Sequence, residues 1–471
     1  MNKGDEKRMS SLQGRIKTSQ FTQFITFGYG KSLIFHSLAG NPTIINSGAR
    51  KVLEAFRHPR SFCSFRREYE IDRQTQETIS TFVANKFLVS QKEDERETYI
   101  GDIDSIIRKA AVGENLRVLD LSVSECCNFG CKYCIHSRAL GLDSSRIGRS
   151  GFMTVEMAKT AIDTFLGHMK RIGVDEWSLH FGSAEPLLNF KVIQWVIDYL
   201  KEIKTKPVDI SINSNLSLLT EETAVFFRDN NFRVNTSIDG LPGVNDTVRV
   251  YKTGKGTAGD IIRGIKLIKS IRHHVNGIGV TLCDINFDAV DEEIVDWLER
   301  YQIPNVLFDI DSVNMVEIDV EEAAEKFIRF EALCRAVGIR VDGCWKTAYE
   351  NIRDSGVSGI KSFCASLMGN NLLVAPSGNL YYCTYSATPL GHITDFPKSL
   401  EEGPFGDLLS RSFTGNFPEC KGCDIEGHCL GGCLLTREGD ENQQKKVDQM
   451  CRFYRSATIK LLALDAKDFH Y

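Results

Sequence analysis

The spacing of the cysteines constrains this chain more than any other feature of its sequence. The 471 residues include 15 cysteines. Four lie between Cys126 and Cys134, seven lie between Cys364 and Cys451, and the other four are scattered singly. An odd number of cysteines in two dense groups, in a chain without an export signal, is typical of metal ligands rather than of disulfides. We therefore expect two metal-bearing regions.

Composition and charge exclude several classes of protein. Hydrophobic residues make up 42% of the chain and charged residues 25%, which is typical of globular proteins. The net charge of -5 comes without a long basic block, so we expect no nucleic-acid partner. Residues 1–12 are polar and no apolar run reaches the length of a membrane span. These features predict no membrane association and a cytoplasmic location.

An alternation of strand and helix patterns over residues 118–337 predicts an α/β unit. Six β-rich runs are each followed by an amphipathic stretch: 118–123, 177–181, 208–212, 232–238, 278–283 and 306–310. Such alternation favours a parallel sheet covered by helices, and six units suit an open partial barrel. Chemistry in these folds lies at the carboxyl ends of the strands, and the first cysteine group directly follows the first strand.

The region before the barrel has a different pattern. Runs at 21–27 and 32–36 predict a hairpin, residues 44–45 a short third strand, and 47–56 and 71–88 two helices, the first capped by Ser47. Together they predict a small winged-helix-like domain, followed by a charged linker at 91–97. We expect three domains, namely 1–100, 101–340 and a cysteine-rich 341–471.

Three cysteines of the first group, Cys127, Cys131 and Cys134, form a CxxxCxxC loop. Three thiolates on one tight loop can hold three irons of a 4Fe-4S cluster and leave the fourth iron without a protein ligand. A zinc loop or buried structural thiols are the alternatives, and Cys126 lies outside the spacing. The loop and the six units after it resemble the radical S-adenosylmethionine (SAM) superfamily. The resemblance implies that the open iron binds SAM and that SAM is cleaved to a 5'-deoxyadenosyl radical.

Other positions fit the same family in order. Segment 180–186 is similar to the GGEP motif, with Ser183 and Ala184 in place of the two glycines before Glu185. The resemblance implies that this segment contacts the amino group of SAM. Polar residues near the ribose and methionine of SAM are implied at Asn213, Asn215, Ser237 and Arg249. Of these, Arg249 is expected to pair with the methionine carboxylate, because guanidinium matches carboxylate in a two-point geometry.

The second cysteine group resembles the seven-cysteine SPASM extension at every spacing. The resemblance implies two auxiliary 4Fe-4S clusters, and hence three clusters in all. By position, one auxiliary cluster would have Cys420, Cys423, Cys429 and Cys451, and the other would have Cys364, Cys383 and Cys433. A zinc ribbon is the alternative, but seven cysteines exceed the ligands of one tetrahedral zinc.

This assignment leaves the second auxiliary cluster one protein ligand short. Two possibilities stay open from the sequence. The fourth iron is free to take a substrate thiolate, or Cys344 reaches it.

The N-terminal pattern resembles the RiPP recognition element, a domain that binds the leader of a ribosomally made precursor peptide. An exposed third strand can accept an extended peptide as a further strand. A structural cap on the barrel is the alternative. The resemblance also implies an external electron donor such as flavodoxin or ferredoxin.

Together these features predict a SPASM-type peptide maturase that joins a cysteine sulfur to a carbon, as in sactipeptides or ranthipeptides. The alternatives are carbon–carbon (cyclophane) links, formylglycine formation in a sulfatase, and a non-catalytic iron-sulfur module. The acidic residues of the barrel are too many to rank a general base from the sequence.

Overall fold

The computed structural model describes residues 14–28, 30–135, 151–314, 317–355, 361–386, 388–413, 417–437 and 442–468. The polar N-terminus 1–12 and Tyr29, in the predicted hairpin turn, lie outside these residues. Across the described ranges, no helix combines the length and the apolar character needed to span a bilayer.

Two small antiparallel sheets form the N-terminal unit. The strands are β1 (Arg15–Thr18), β2 (Thr22–Phe27), β3 (Lys31–His36), β4 (Gly40–Ile45), β5 (Arg60–Ser61) and β6 (Leu88–Ser90). One sheet has the order β5-β1-β6 and the other β2-β3-β4. The helices are α1 (Ser47–Ala55), α2 (Phe62–Glu68) and α3 (Arg73–Ala84). The predicted hairpin and third strand are confirmed as β2, β3 and β4.

Strand β3 belongs to two hydrophobic cores because its side chains alternate between faces. Ile34 packs into a core of the N-terminal unit with Phe56 and Phe82. Leu33 and Phe35 point the other way and join the core of the rest of the molecule. The N-terminal unit is therefore both separately packed and docked.

Three local predictions in this unit differ from the structure. The cap of α1 is Asn46, whose Oδ1 accepts from the Ala49 N–H at 2.8 Å, rather than Ser47. The predicted helix 71–88 ends at Ala84, because Leu88 begins β6. The predicted linker 91–97 contains the start of helix α4 (Glu95–Ala111), so this helix crosses the expected boundary at residue 100.

The described residues of the barrel contain seven parallel strands, the predicted six and one more. They are β7 (Val118–Leu121), β8 (Ser178–Phe181), β9 (Asp209–Asn213), β10 (Phe232–Ser237), β11 (Val275–Leu282), β12 (Asn305–Ile310) and β13 (Arg340–Asp342). They lie side by side in chain order. The covering helices are α5 (Val155–Arg171), α6 (Phe190–Glu202), α7 (Glu221–Asp229), α8 (Pro242–Val248), α9 (Ala258–Ser270), α10 (Glu293–Tyr301) and α11 (Val320–Ala336). The expected partial α/β barrel is confirmed.

The barrel strands have an apolar face and a polar face. Leu119, Leu179 and Ile212 are fully buried in the main core beneath the helices. Because strand side chains alternate, the residues between them lie on the inner face. Apart from the exposed Leu307, that face carries mainly small and polar side chains, namely Asp120, His180, Ser211, Asn213, Asn235, Ser237, Gly277, Gly279, Thr281 and Asp309. The barrel interior is therefore lined for polar ligands.

The cysteine-rich region extends the same sheet. Strand β14 (Asn371–Val374) pairs in parallel with β7, and β15 (Asn379–Tyr381) and β16 (Gly391–His392) follow as antiparallel neighbours. The helices are α12 (Thr347–Arg353), α13 (Lys398–Glu401), α14 (Phe405–Phe413), α15 (Glu426–Cys429) and α16 (Gln443–Asp468). Direct sheet pairing fixes this region to the edge of the barrel at β7.

The N-terminal unit docks on α15. The Gly427 N–H donates to the Ser37 carbonyl at 2.8 Å. The Arg96 guanidinium makes a two-point contact with the Glu426 carboxylate. Helix α15 ends at Cys429, so this junction lies directly beside an expected cluster ligand.

Candidate functional site

The loop after β7 brings Cys127, Cys131 and Cys134 together. Backbone bonds hold it, with the Gly130 N–H donating to the Val250 carbonyl at 2.7 Å. Burial, with a smaller contribution from the neighbouring thiols, raises the pKa of Cys127 to about 12. The charge interactions among these thiols show that the three sulfurs lie close together.

The GGEP-like segment keeps the backbone that glycines would give it. Ser183 and Ala184 both have positive φ, 69° and 37°. This left-handed region costs a residue with a side chain about 1–2 kcal/mol and glycine almost nothing. The Glu185 N–H donates to the Cys126 carbonyl at 3.0 Å, which fixes the segment against the cluster loop. The substitution of both glycines thus preserves the conformation at a cost in strain.

Glu185 is fully buried, and its carboxylate accepts three hydrogen bonds from neighbouring residues. Its carboxylate accepts from the Ser214 hydroxyl at 2.8 Å, the Asn215 N–H at 2.8 Å and the Leu187 N–H at 3.0 Å. Burial raises its pKa to about 7, and these hydrogen bonds oppose the rise. The carboxylate therefore ties the ends of β8 and β9 together, and the expected contact of this segment with SAM stays a prediction.

The remaining predicted SAM contacts divide into two kinds. Asn215 Nδ2 donates to Asn128 Oδ1 at 2.9 Å and lies 3.9 Å from the Cys127 sulfur, so this residue supports the cluster loop. Asn213 and Ser237 lie on the inner face at the ends of β9 and β10, which leaves them at the barrel mouth.

Arg249 pairs with a protein carboxylate. Its Nε donates to Asp239 Oδ2 at 2.7 Å, and Asp239 is fully buried. The Tyr133 hydroxyl also donates to Asp239, and the Thr281 N–H donates at 2.9 Å. The pair therefore supports the back of the cluster loop. The sequence analysis singled out Arg249 without Asp239, although both lie in the segment after β10.

The auxiliary cysteines form two groups of four. The thiols of Cys420, Cys423, Cys429 and Cys451 interact with one another, and burial followed by the other three raises the pKa of Cys429 well above its usual range. The second group contains Cys344. Burial raises its pKa, as do the charges of Asp309 and of Cys364, Cys433 and Cys383. The structure thus places Cys344 beside the three cysteines that lacked a fourth.

These arrangements fit iron-sulfur clusters. Among the described residues, no group of three or more His, Cys, Asp or Glu side chains is placed to hold a single metal ion. A 4Fe-4S cluster is larger than one ion, and its ligands stand correspondingly farther apart. One set of three thiols and two sets of four match one cluster with an open iron and two with full protein ligation.

One functional candidate that the sequence analysis missed is Tyr385. Although 43% of Tyr385 is exposed, protein atoms crowd its hydroxyl, and this local burial raises its pKa to about 12, with the charges of Cys383 and Cys134 adding to the rise. Its hydroxyl thus lies within electrostatic reach of both the first loop and an auxiliary group. No spacing rule marks this tyrosine, and only its place two residues after Cys383 points to it.

Comparison with known proteins agrees with this geometry. A model of the radical SAM superfamily matches residues 121–300. The chain is 25% identical over 449 residues to the radical SAM cyclopropyl synthase TigE of Paramaledivibacter caminithermalis, covering 93% of this chain and 94% of that protein. It is 21% identical over 392 residues to the cysteine-type anaerobic sulfatase-maturating enzyme of Clostridium novyi, covering 76% of this chain and 99% of that enzyme.

Two solved structures share the fold. The structure of anSMEcpe with bound AdoMet has a TM-score of 0.59 at 20% identity and covers 74% of this chain and 100% of its own. Streptococcus suis SuiB bound to S-adenosylmethionine has a TM-score of 0.51 at 14% identity and covers 91% of this chain and 98% of its own.

Proposed function

Because this chain is a radical SAM enzyme related to the SPASM-type peptide and sulfatase maturases, we propose that it joins carbon atoms within a ribosomally made precursor peptide. The bond would close a cyclopropane ring or link two residues. A relative that matches nearly the whole chain is a cyclopropyl synthase, and anSMEcpe has been solved with a peptide bound.

The position of Cys344 is the observation that favours a carbon–carbon bond over a thioether. Its thiol interacts with Cys364, Cys383 and Cys433, so Cys344 would supply a fourth protein ligand to that group. An auxiliary cluster with four protein ligands offers no iron to a substrate sulfur. It can still accept an electron, which is what closing a bond between two carbons requires.

A thioether is the second candidate, and the cysteine count favours it. The SPASM-like motif supplies seven thiols, and Cys344 lies outside that motif. A substrate thiolate that displaced Cys344 would bind the fourth iron and be held next to the carbon radical. Formylglycine formation has support only from similarity to sulfatase-maturating enzymes, and it would not need the N-terminal unit.

We assign cofactors to the three groups of cysteines. The first loop would hold a 4Fe-4S cluster and SAM, which when bound supply the 5'-deoxyadenosyl radical. The backbone at Ser183 and Ala184 would contact SAM, with Asn213 and Ser237 at the barrel mouth. Two auxiliary clusters would occupy the two groups of four, and an external flavodoxin or ferredoxin would supply electrons.

The N-terminal unit would bind the peptide leader. Strand β4 is an edge strand that pairs only with β3 among the described strands, although the Asn41 N–H at its start donates to Ser355 Oγ at 2.7 Å. Ile44 on β4 is an exposed apolar side chain, and the unit has its own hydrophobic core. An extended leader added to this edge would gain backbone hydrogen bonds and side-chain contacts. In this division, 1–100 recognises, 101–340 generates the radical and 341–471 carries the auxiliary clusters.

The test uses a short peptide encoded beside the gene, incubated with the anaerobically reconstituted enzyme, SAM and a reductant. Mass spectrometry should show loss of two hydrogen atoms from the peptide, and any peptide cysteine should still react with an alkylating reagent. Cysteines that no longer react would instead establish the thioether. A peptide unchanged in mass would contradict both.

A further inference from the structure

Joining two groups that each carry hydrogen removes two hydrogens from the peptide. One leaves as an atom, which converts the 5'-deoxyadenosyl radical to 5'-deoxyadenosine. The other must leave as a proton while one electron passes to an oxidised auxiliary cluster. The reaction therefore needs a base inside the barrel, whichever carbons are joined.

Three polar side chains form a row on the inner face of the first barrel strands. Asp120 on β7 is the register partner of His180 on β8, and His180 is the partner of Ser211 on β9. His180 Nδ1 and the Ser211 hydroxyl are 2.9 Å apart. When Nδ1 donates this bond, Nε2 is left with its lone pair free to accept a proton.

Gly182 makes room for the imidazole beside the carboxylate. A Cβ at this position would lie 2.6 Å from His180 Nε2 and 3.6 Å from Asp120 Oδ1. Gly182 has no positive φ. Glycine is therefore needed here for space rather than for its backbone conformation. His180 Nε2 and Asp120 Oδ1 both lie near the position that a Cβ of residue 182 would occupy.

Asp120 lies close to the imidazole on the same face. It is 6% exposed, and its Oδ1 makes no hydrogen bond of ordinary length among the described residues. Burial raises the pKa of its carboxyl, while the charge of His180 and the Gly182 N–H oppose the rise. A buried carboxylate oxygen without a donor is costly and rare in folded proteins. A protonated His180 would place a positive charge near this carboxylate, and the two groups interact through their charges.

The pair lies near the cysteines expected to hold two of the clusters. The charge of Asp120 acts on the Tyr385 hydroxyl, as do those of Cys134 and Cys383. His180 is half-buried rather than enclosed. The imidazole is therefore partly accessible on the inner face of the barrel.

We propose that His180 is the base that takes the substrate proton, and that Asp120 and Ser211 are positioning residues that orient the imidazole and stabilise its charged form. This inference rests on the proposed function and identifies the proton acceptor for it. The substrate C–H electrons form the new bond, one electron goes to the auxiliary cluster, and the proton goes to Nε2.

The test compares His180→Ala and Asp120→Asn with wild type on a peptide with a deuterated core. Both variants should keep iron content, peptide affinity and deuterium transfer into 5'-deoxyadenosine, while the yield of closed product falls about 100-fold or more, the usual effect of losing a general base. Added imidazole should restore product in His180→Ala, which a purely structural role would not allow.

Asp209→Asn is the matched control. Asp209 lies on β9 and pairs with Arg233 at the opposite end of the barrel, so its change should leave product yield as in wild type. Full product from His180→Ala overturns the proposal, as does loss of deuterium transfer together with product. If His180→Ala loses iron, Ser211→Ala is tested in its place. A ratio of product to 5'-deoxyadenosine in Ser211→Ala equal to that of the wild type would then overturn the proposal.

The product of the wild-type enzyme distinguishes failure of this proposal from failure of the proposed function. A thioether product refutes carbon–carbon closure, yet uncoupling by His180→Ala would still identify the base. An unmodified peptide refutes both, because His180 then has no substrate proton to accept.

Discussion

The Arg249 guanidinium lies 2.7 Å from the fully buried Asp239 carboxylate, behind the loop of Cys127, Cys131 and Cys134. Asp239→Asn would leave the cation without its counter-charge, and breaking a buried pair costs about 3–5 kcal/mol. Chemical denaturation should show a loss of this size. Asp209→Asn, which breaks the exposed pair with Arg233, should cost about 1 kcal/mol or less. Equal losses would refute a structural role for the buried pair.

Glu185 should make stability depend on pH. Its folded pKa of about 7 lies above the ordinary 4.5, so the folded protein holds this proton more tightly than the unfolded chain does. The Glu185 contribution to the free energy of unfolding is therefore fully present at low pH and decreases as pH rises from about 4.5 to about 7. Gln does not titrate. The difference in unfolding free energy, wild type minus Glu185→Gln, should decrease from about pH 5 to about pH 8, and a constant difference would contradict the assignment.

Features of the fold that depend on local pattern could be predicted from the sequence, and features that depend on strand pairing could not. The strands β7 to β12 were predictable because each buries an apolar face beneath a following helix. The three-cysteine loop was predictable because its ligands are close in the chain. His180 and Asp120 were not, because parallel pairing brings together residues that are far apart in sequence, and each alone reads as a polar strand residue.

Long-range contacts also explain the other differences. Whether Cys344 joins Cys364, Cys383 and Cys433 depends on how β13 leaves the barrel, where the Cys344 N–H donates to Asp309 Oδ1 at 2.8 Å. The charged segment 91–97 read as a linker, but Asp94 caps α4 there and Arg96 contacts Glu426 on α15. No local sequence pattern predicts a contact between residues so distant in the chain.

Cys344→Ala tests whether that auxiliary cluster is closed by protein. With the thiol removed, SAM cleavage should persist, because it occurs at another cluster, while the auxiliary Mössbauer signal changes and peptide closure falls about 10-fold or more, as when a supporting metal ligand is lost. Cys63→Ala, at an exposed free cysteine, is the control and should change neither. An unaltered auxiliary signal in Cys344→Ala would favour the open iron and the thioether.

The edge of β4 should govern peptide affinity. Ile44→Asp places a charge on the exposed apolar edge where the leader would add, so affinity for a leader-bearing peptide should fall about 10-fold, with peptide-free SAM cleavage unchanged. Phe24→Asp is a matched control on β2, the opposite edge of the same sheet, with 40% of Phe24 exposed against 36% of Ile44. Equal loss in both variants, measured by fluorescence anisotropy, would return this unit to the role of a structural cap.

The central claim is that a radical formed at the first cysteine loop abstracts hydrogen from a leader-bearing peptide. Its most direct test is mass spectrometry of the 5'-deoxyadenosine produced with a peptide whose core is deuterated. We predict one deuterium in 5'-deoxyadenosine with the wild-type enzyme, and no 5'-deoxyadenosine at all when Cys127, Cys131 and Cys134 are replaced together by Ala. Unlabelled 5'-deoxyadenosine from the wild type with every deuterated core, or SAM cleavage by the triple variant, would contradict the account.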